Sequence, residues 1–193
     1  MGYAISWFAV PQQQTETFLN RFQLVPTGAT NDFPDSLISF GKFDTGWTVL
    51  WYGRYGCPFL REKELTTISK DYDILCCKVE EHVMASSSEL WSGGARKWLI
   101  SHEGENGPKG LDIEGTPPES LSAIRQEMEA TQLAEGGDDA EVDYIFEIPL
   151  AVAEKIVGFK HDSDSPHLIG KQFLSLKQTT SASGFFGRFF GKG

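Results

Sequence analysis

Three cysteines in 193 residues leave no room for a disulfide scaffold. Cys76 and Cys77 are neighbours, and neighbouring side chains on a strand leave by opposite faces, so the two cannot bridge each other. With Cys57 they are expected as reduced, buried thiols of a reducing compartment. Histidine is also scarce: the four, His82, His102, His161 and His167, stand at no metal-ligand spacing. No metal and no cofactor is therefore expected. A charged leader with an apolar core is missing, as is any apolar run of membrane-spanning length, so the expected location is a cytoplasm, read as bacterial. There is no G-x-S-x-G elbow and no P-loop; Gly93-Gly94 and Gly136-Gly137 lack the lysine and the strand-to-helix setting of a phosphate cradle. Nothing in the sequence marks the chain as an enzyme.

What is present is a globular composition, 40% hydrophobic with five Trp and fourteen Phe. That is enough to build a full core without staples. Residues 1–177 read as a single domain, and 178–193 as a flexible tail with a Phe-rich end. The net charge of −10 is unevenly spread. From Met1 to His102, nine Lys and Arg face eleven Asp and Glu. Between Glu103 and Glu147 there are two against thirteen, net −11, and beyond Ile148 six against three. A block so acidic repels nucleic-acid backbones and attracts basic protein surfaces.

The stretch from Asp73 to His102 organises the chain. It reads as a β-branched strand, a turn at Ser86 to Ser88, a short strand at Glu89 to Ser92, a Gly-Gly turn and a further strand, which is an antiparallel meander. Ahead of it come a strand at Tyr3 to Val10, a helix from Pro11 to Gln23, a hairpin of Ser36 to Phe43 with Trp47 to Arg54, and a helix from Phe59 to Lys70. That β-α-β-β-α-β order is the split βαβ arrangement of ferredoxin-like folds. Thr116-Pro117-Pro118-Glu119 carries the signature of a capping box. Asp143 to Ile148 is expected as a strand, Pro149 to Val157 as a helix closed by Gly158, and Gln172 to Leu176 as a last strand. The fold class is α+β, a mainly antiparallel sheet with helices on one face.

Few residues are candidates for chemistry. Glu80 and His82, with Lys78, alternate on the non-core side of the organising strand and are the one grouping suited to acid–base work. Cys57, before Pro58 at a helix start, is the thiol that a helix dipole could acidify. Partner binding points to Glu127, Glu135, Asp138, Asp139 and Glu141 in the acidic block. In the tail, Phe185, Phe186, Phe189 and Phe190 would share one side of a helix opposite Arg188 and Lys192, as in an interfacial anchor or docking peptide.

Two segments, HEGENGPKGLDIEGTPPESL from His102 and DYIFEIPLAVAEKIVGFKHD ending at Asp162, resemble a loose pattern in small uncharacterised bacterial proteins, some in the style of toxin-neutralising immunity proteins. The resemblance implies a class and carries no activity. The leading expectation is a non-enzymatic acidic module that binds a basic protein partner, as an immunity or regulatory protein would. A hydrolase or small-ligand protein with a His/Glu-lined cleft is the alternative from another class. A membrane-peripheral protein held by the Phe tail is the third. Self-association as a homodimer is compatible with each, and nucleic acid is not expected as a partner.

Overall fold

A computed structural model describes residues 2–179. Its centre is β1 (Ala4–Pro11), which has no polar face: Ile5, Trp7 and Ala9 are buried on one side and Phe8 and Val10 on the other. A strand buried on both faces must lie inside a sheet that is covered twice. β1 pairs antiparallel with β4 (Trp47–Tyr52) and with β5 (Ile74–Glu80). From there the sheet extends outward through β3 (Ile38–Lys42), β9 (Phe173–Gln178) and β2 (Leu24–Asn31) on one side. On the other it continues through β6 (Ala85–Ser92), β7 (Ala95–Glu103) and β8 (Leu111–Gly115). The order is β2-β9-β3-β4-β1-β5-β6-β7-β8, and neighbours are antiparallel throughout.

The fold is α+β and mainly antiparallel, as expected. Its first half keeps the split βαβ logic, because β3-β4-β1-β5 are adjacent in that order. α1 (Thr15–Arg21) and α2 (Glu62–Ile68) bring Phe18, Leu65 and Ile68 to the Phe8 face. The expectation of helices on one face holds only for this pair. α3 (Ser120–Ala134) and α4 (Glu147–Val157) cover the Trp7 face, where Leu121, Ile148, Val152 and Val157 meet Val49, Leu75, Cys77 and Phe159. β1, β4 and β5 are apolar on both sides, so one helical layer could not keep them dry.

Several local readings are corrected. Ser86 to Ser88 lie within β6, paired with Val79, Lys78 and Cys77; the turn is at Glu81 to Met84, where Met84 takes φ +50°. Val83 falls on that turn and is exposed. The capping box does not form, because the Thr116 N–H is held by the Lys97 carbonyl and the helix starts only at Ser120, with no side-chain cap. Asp143 to Ile148 is not a strand: Asp143 to Phe146 turn the chain and Glu147 and Ile148 open α4, whose left-handed end at Gly158 is as expected. β9 runs through Gln178, and the Thr179 N–H bonds the Gln23 carbonyl. Among the described residues, no helix is long and apolar enough to cross a membrane.

Candidate functional site

All four histidines meet carboxylates. Glu80 ends β5 and His82 sits in the turn beyond it, with Nδ1 2.7 Å from Glu80 Oε1. The two are close because the chain turns, not because a strand alternates. Lys78 lies further along β5 between Ser6 and Ser87. His82 is well exposed and lines neither the groove beside α3 nor the one at Arg21 and Phe22. On the surface, His167 Nδ1 meets Asp44 Oδ1 at 2.9 Å.

The other two histidines are buried. His102 on β7 has Nε2 2.8 Å from Asp143 Oδ2, while Asp143 Oδ1 accepts the backbone N–H groups of Ile145 and Phe146. Directly across on β6, Ser86 donates its hydroxyl to the Phe146 carbonyl at 2.7 Å. Serine, histidine and aspartate are thus neighbours, yet His102 is fully buried and Ser86 nearly so. The Ser86 hydroxyl is committed to a carbonyl rather than poised beside an imidazole. The arrangement fastens the loop before α4 to β6 and β7, with the serine and histidine buried and Asp143 partly exposed.

His161 completes a second fastening. Its Nε2 is 3.1 Å from Glu81 Oε1, the other Glu81 oxygen accepts the Tyr3 N–H at 2.7 Å, and the Tyr3 ring stands edge-on to the imidazole at 5.0 Å. Beside it Lys160 bridges Glu147 at 2.9 Å and Asp162 at 3.1 Å. Burial alone would lower its pKa, but hydrogen bonds and charge from Glu147 and Asp162 outweigh it and raise the pKa. These partners are about 80 residues apart in sequence for His161 and Glu81, so no spacing could have announced them.

Among the described residues, no three His, Cys, Asp or Glu side chains gather as a metal would need. The thiols are the reverse of activated. Burial pushes Cys57 up to about 12 against the smaller opposing pull of the Phe59 and Leu60 backbone, and it raises Cys76 and Cys77 as well. The helix start that could have acidified Cys57 is only a three-residue 3₁₀ turn, Pro58–Leu60, and desolvation overrides it.

The candidate partner-binding carboxylates lie on α3 and in the loop after it. Leu121, Ile124, Met128 and Gln132 form the inner stripe of α3. Buried Gln132 holds the following loop in place: its amide donates to the Gly137 carbonyl and its oxygen accepts the Tyr144 N–H, each at 2.7 Å. A polar residue on an apolar stripe was the signal for this role. Outward stand Glu127 and Glu135, followed by Asp138 and Asp139 in a short 3₁₀ turn and then Glu141, all exposed. The one cation of the helix, Arg125, is taken by Glu129 at 2.6 Å. Among the described residues, Glu127, Glu135, Asp139 and Glu141 have no ion-pair partner. Leu133, 77% exposed, and Val142, 52% exposed, lie in the same stretch of chain. At the N-terminal end of α3, an open groove of about 470 Å³ runs between the helix and β8, lined by Ile113, Pro117, Pro118, Leu121 and Arg125 among others.

Phe185, Phe186, Phe189 and Phe190 lie outside the described residues. Compared with models of known protein families, with curated proteins and with solved structures, the chain matches none of them.

Proposed function

We propose that this protein is a non-enzymatic binding module whose acidic face, α3 and the loop after it, receives a basic surface of a protein partner, in the manner of an immunity or regulatory protein. One observation carries the reading. Among the described residues, Glu127, Glu135, Asp139 and Glu141 are exposed without cationic partners, in the stretch that also exposes Leu133 and Val142. Exposed apolar side chains in a stretch with charge of one sign suit an interface in which the apolar groups supply affinity and the charges steer the encounter. In the Ser86, His102 and Asp143 group the serine and histidine are buried and the serine hydroxyl is spent on the Phe146 carbonyl, which favours a fastening role there over a competing site.

The test compares the full chain with its E127Q/E135Q/D139N/E141Q variant, each immobilised and exposed to host extract at low salt. A basic protein retained by the unaltered chain, released as salt rises and lost from the variant supports the reading. Retention of nothing, or equal retention by the variant, overturns it. The steering contribution is large enough to read, since complementary charge changes association rates by about ten- to a thousand-fold.

A further inference from the structure

Among the described residues, β8 is the last strand of the sheet and no strand pairs with its outer side. The ladder fixes which of its backbone groups are free. The Glu103 N–H bonds the Gly110 carbonyl and the Thr116 N–H bonds the Lys97 carbonyl, each at 3.1 Å. In the register between them, Asp112 faces Ser101 and Glu114 faces Leu99. Antiparallel pairs alternate, so Asp112 and Glu114 turn their backbone groups toward β7 while Leu111, Ile113 and Gly115 turn theirs outward. This edge has two unlike flanks. On one, Ile113 opens onto the groove with Pro117, Pro118 and Leu121. On the other stand the exposed carboxylates of Asp112 and Glu114, the latter 2.7 Å from Arg96.

We infer that this edge takes the Phe-rich segment 184–192 of a second copy of the chain, added to β8 as a further strand. The segment, GFFGRFFGK, contains two cations and no acid. Extended, it carries Phe185, Gly187, Phe189 and Gly191 on one side and Phe186, Arg188, Phe190 and Lys192 on the other. The first side sets two rings, with only glycine between them, against the Ile113 and Leu121 groove. The second brings Arg188 and Lys192 to the side of Asp112 and Glu114. Such strand addition draws affinity from main-chain hydrogen bonds and selectivity from alternate side chains.

Reach assigns the segment to a second copy. Thr179 follows β9, which is seven strand positions from β8, a separation of about 34 Å along the sheet at ~4.8 Å per strand. Phe185 comes six residues after Thr179, and six extended residues span about 21 Å at most. This inference is independent of the basic partner proposed above and stands or falls separately.

The test uses full-length chains in sedimentation equilibrium from micromolar to submillimolar concentration. The unaltered chain should self-associate, less at high salt, while Ile113→Lys and the pair Phe185→Ser with Phe189→Ser should each be monomeric. Ile113 is partly exposed, so the lysine should leave far-UV circular dichroism and melting unchanged. Mixing the two variants should restore a one-to-one complex, because one keeps the segment and the other keeps the edge. A monomeric unaltered chain, variants that associate as it does, or a mixture that stays monomeric would each overturn the inference.

Discussion

Replacing Gly115 by alanine should separate two costs that are usually confounded. Gly115 closes β8 with φ +74°, and an added Cβ would stand 2.1 Å from the Lys97 carbonyl oxygen and 3.0 Å from the Trp98 Cα. Gly137 has a similar φ of +66° but nothing within 4 Å of the added atom. Gly137→Ala therefore reports the left-handed backbone alone, about 1–2 kcal/mol, reduced by the roughly 0.4–1 kcal/mol that alanine removes from the unfolded chain's entropy. Gly115→Ala carries that cost and a collision. Carbon and oxygen settle at about 3.3 Å or more, so β8 must move outward by more than about 1 Å. The Thr116 to Lys97 hydrogen bond and the adjoining pair would go with it, at about 1 kcal/mol each. The expected loss is about 3 kcal/mol for Gly115→Ala, against about 1 kcal/mol or less for Gly137→Ala. Urea unfolding followed by tryptophan fluorescence measures both, and amide exchange at Asp112 and Glu114 shows whether β8 has detached. Equal losses for the two variants, with β8 still protected, would mean that the collision with the Lys97 carbonyl costs nothing.

Asp143→Ala strips His102 of its carboxylate and two backbone N–H groups of their acceptor, so it should cost about 3 kcal/mol in urea unfolding. Asp143→Asn, which can keep the Oδ1 acceptor, should cost less. The native thiols should be silent toward a chromogenic disulfide reagent at neutral pH and all three should react in denaturant, since burial holds Cys57, Cys76 and Cys77 protonated; a fast native thiol would contradict this. Lys160 has its folded pKa raised above the ordinary 10.5, so its stabilisation is complete below that value and fades as the pH climbs through the folded pKa. The stability gap between the unaltered chain and Lys160→Met should thus be flat from neutral pH to about 9 and shrink beyond 10.5; a gap that widens with alkalinity would show the sign to be wrong.

Local pattern disclosed much of this fold. The doubly apolar run of β1, the β3–β4 hairpin around Gly46 and the glycine that ends α4 were all readable, because each is set by neighbouring residues. β2 was not. Leu24–Asn31 contains Pro26 and Gly28 and is exposed along most of its length, so it offers neither the composition nor the alternation by which strands are recognised. It is a strand because β9 pairs with it. The serines of β6 misled for the opposite reason: small polar residues suggest a turn, but here Ser86 and Ser88 are buried on the face that α4 covers. At the candidate site, the acidic face of α3 could be read directly, as exposed charge on a helix. The pairings of His102 with Asp143 and of His161 with Glu81 join distant segments, and only the folded chain brings them together.

The place of β9 has a consequence for how the chain is made. It lies between β2 and β3, and Thr27 in β2 bonds Ser175 in β9 across 148 residues. At about 5–20 residues per second on a ribosome, β2 waits roughly 7–30 s for the strand that completes it. During that interval β3 exposes an unpaired edge, the kind of surface on which nascent chains stick to one another. Stop codons placed just before Phe173 should therefore yield aggregates rather than shortened soluble domains, and slowed translation should lengthen the time in which a chaperone is needed.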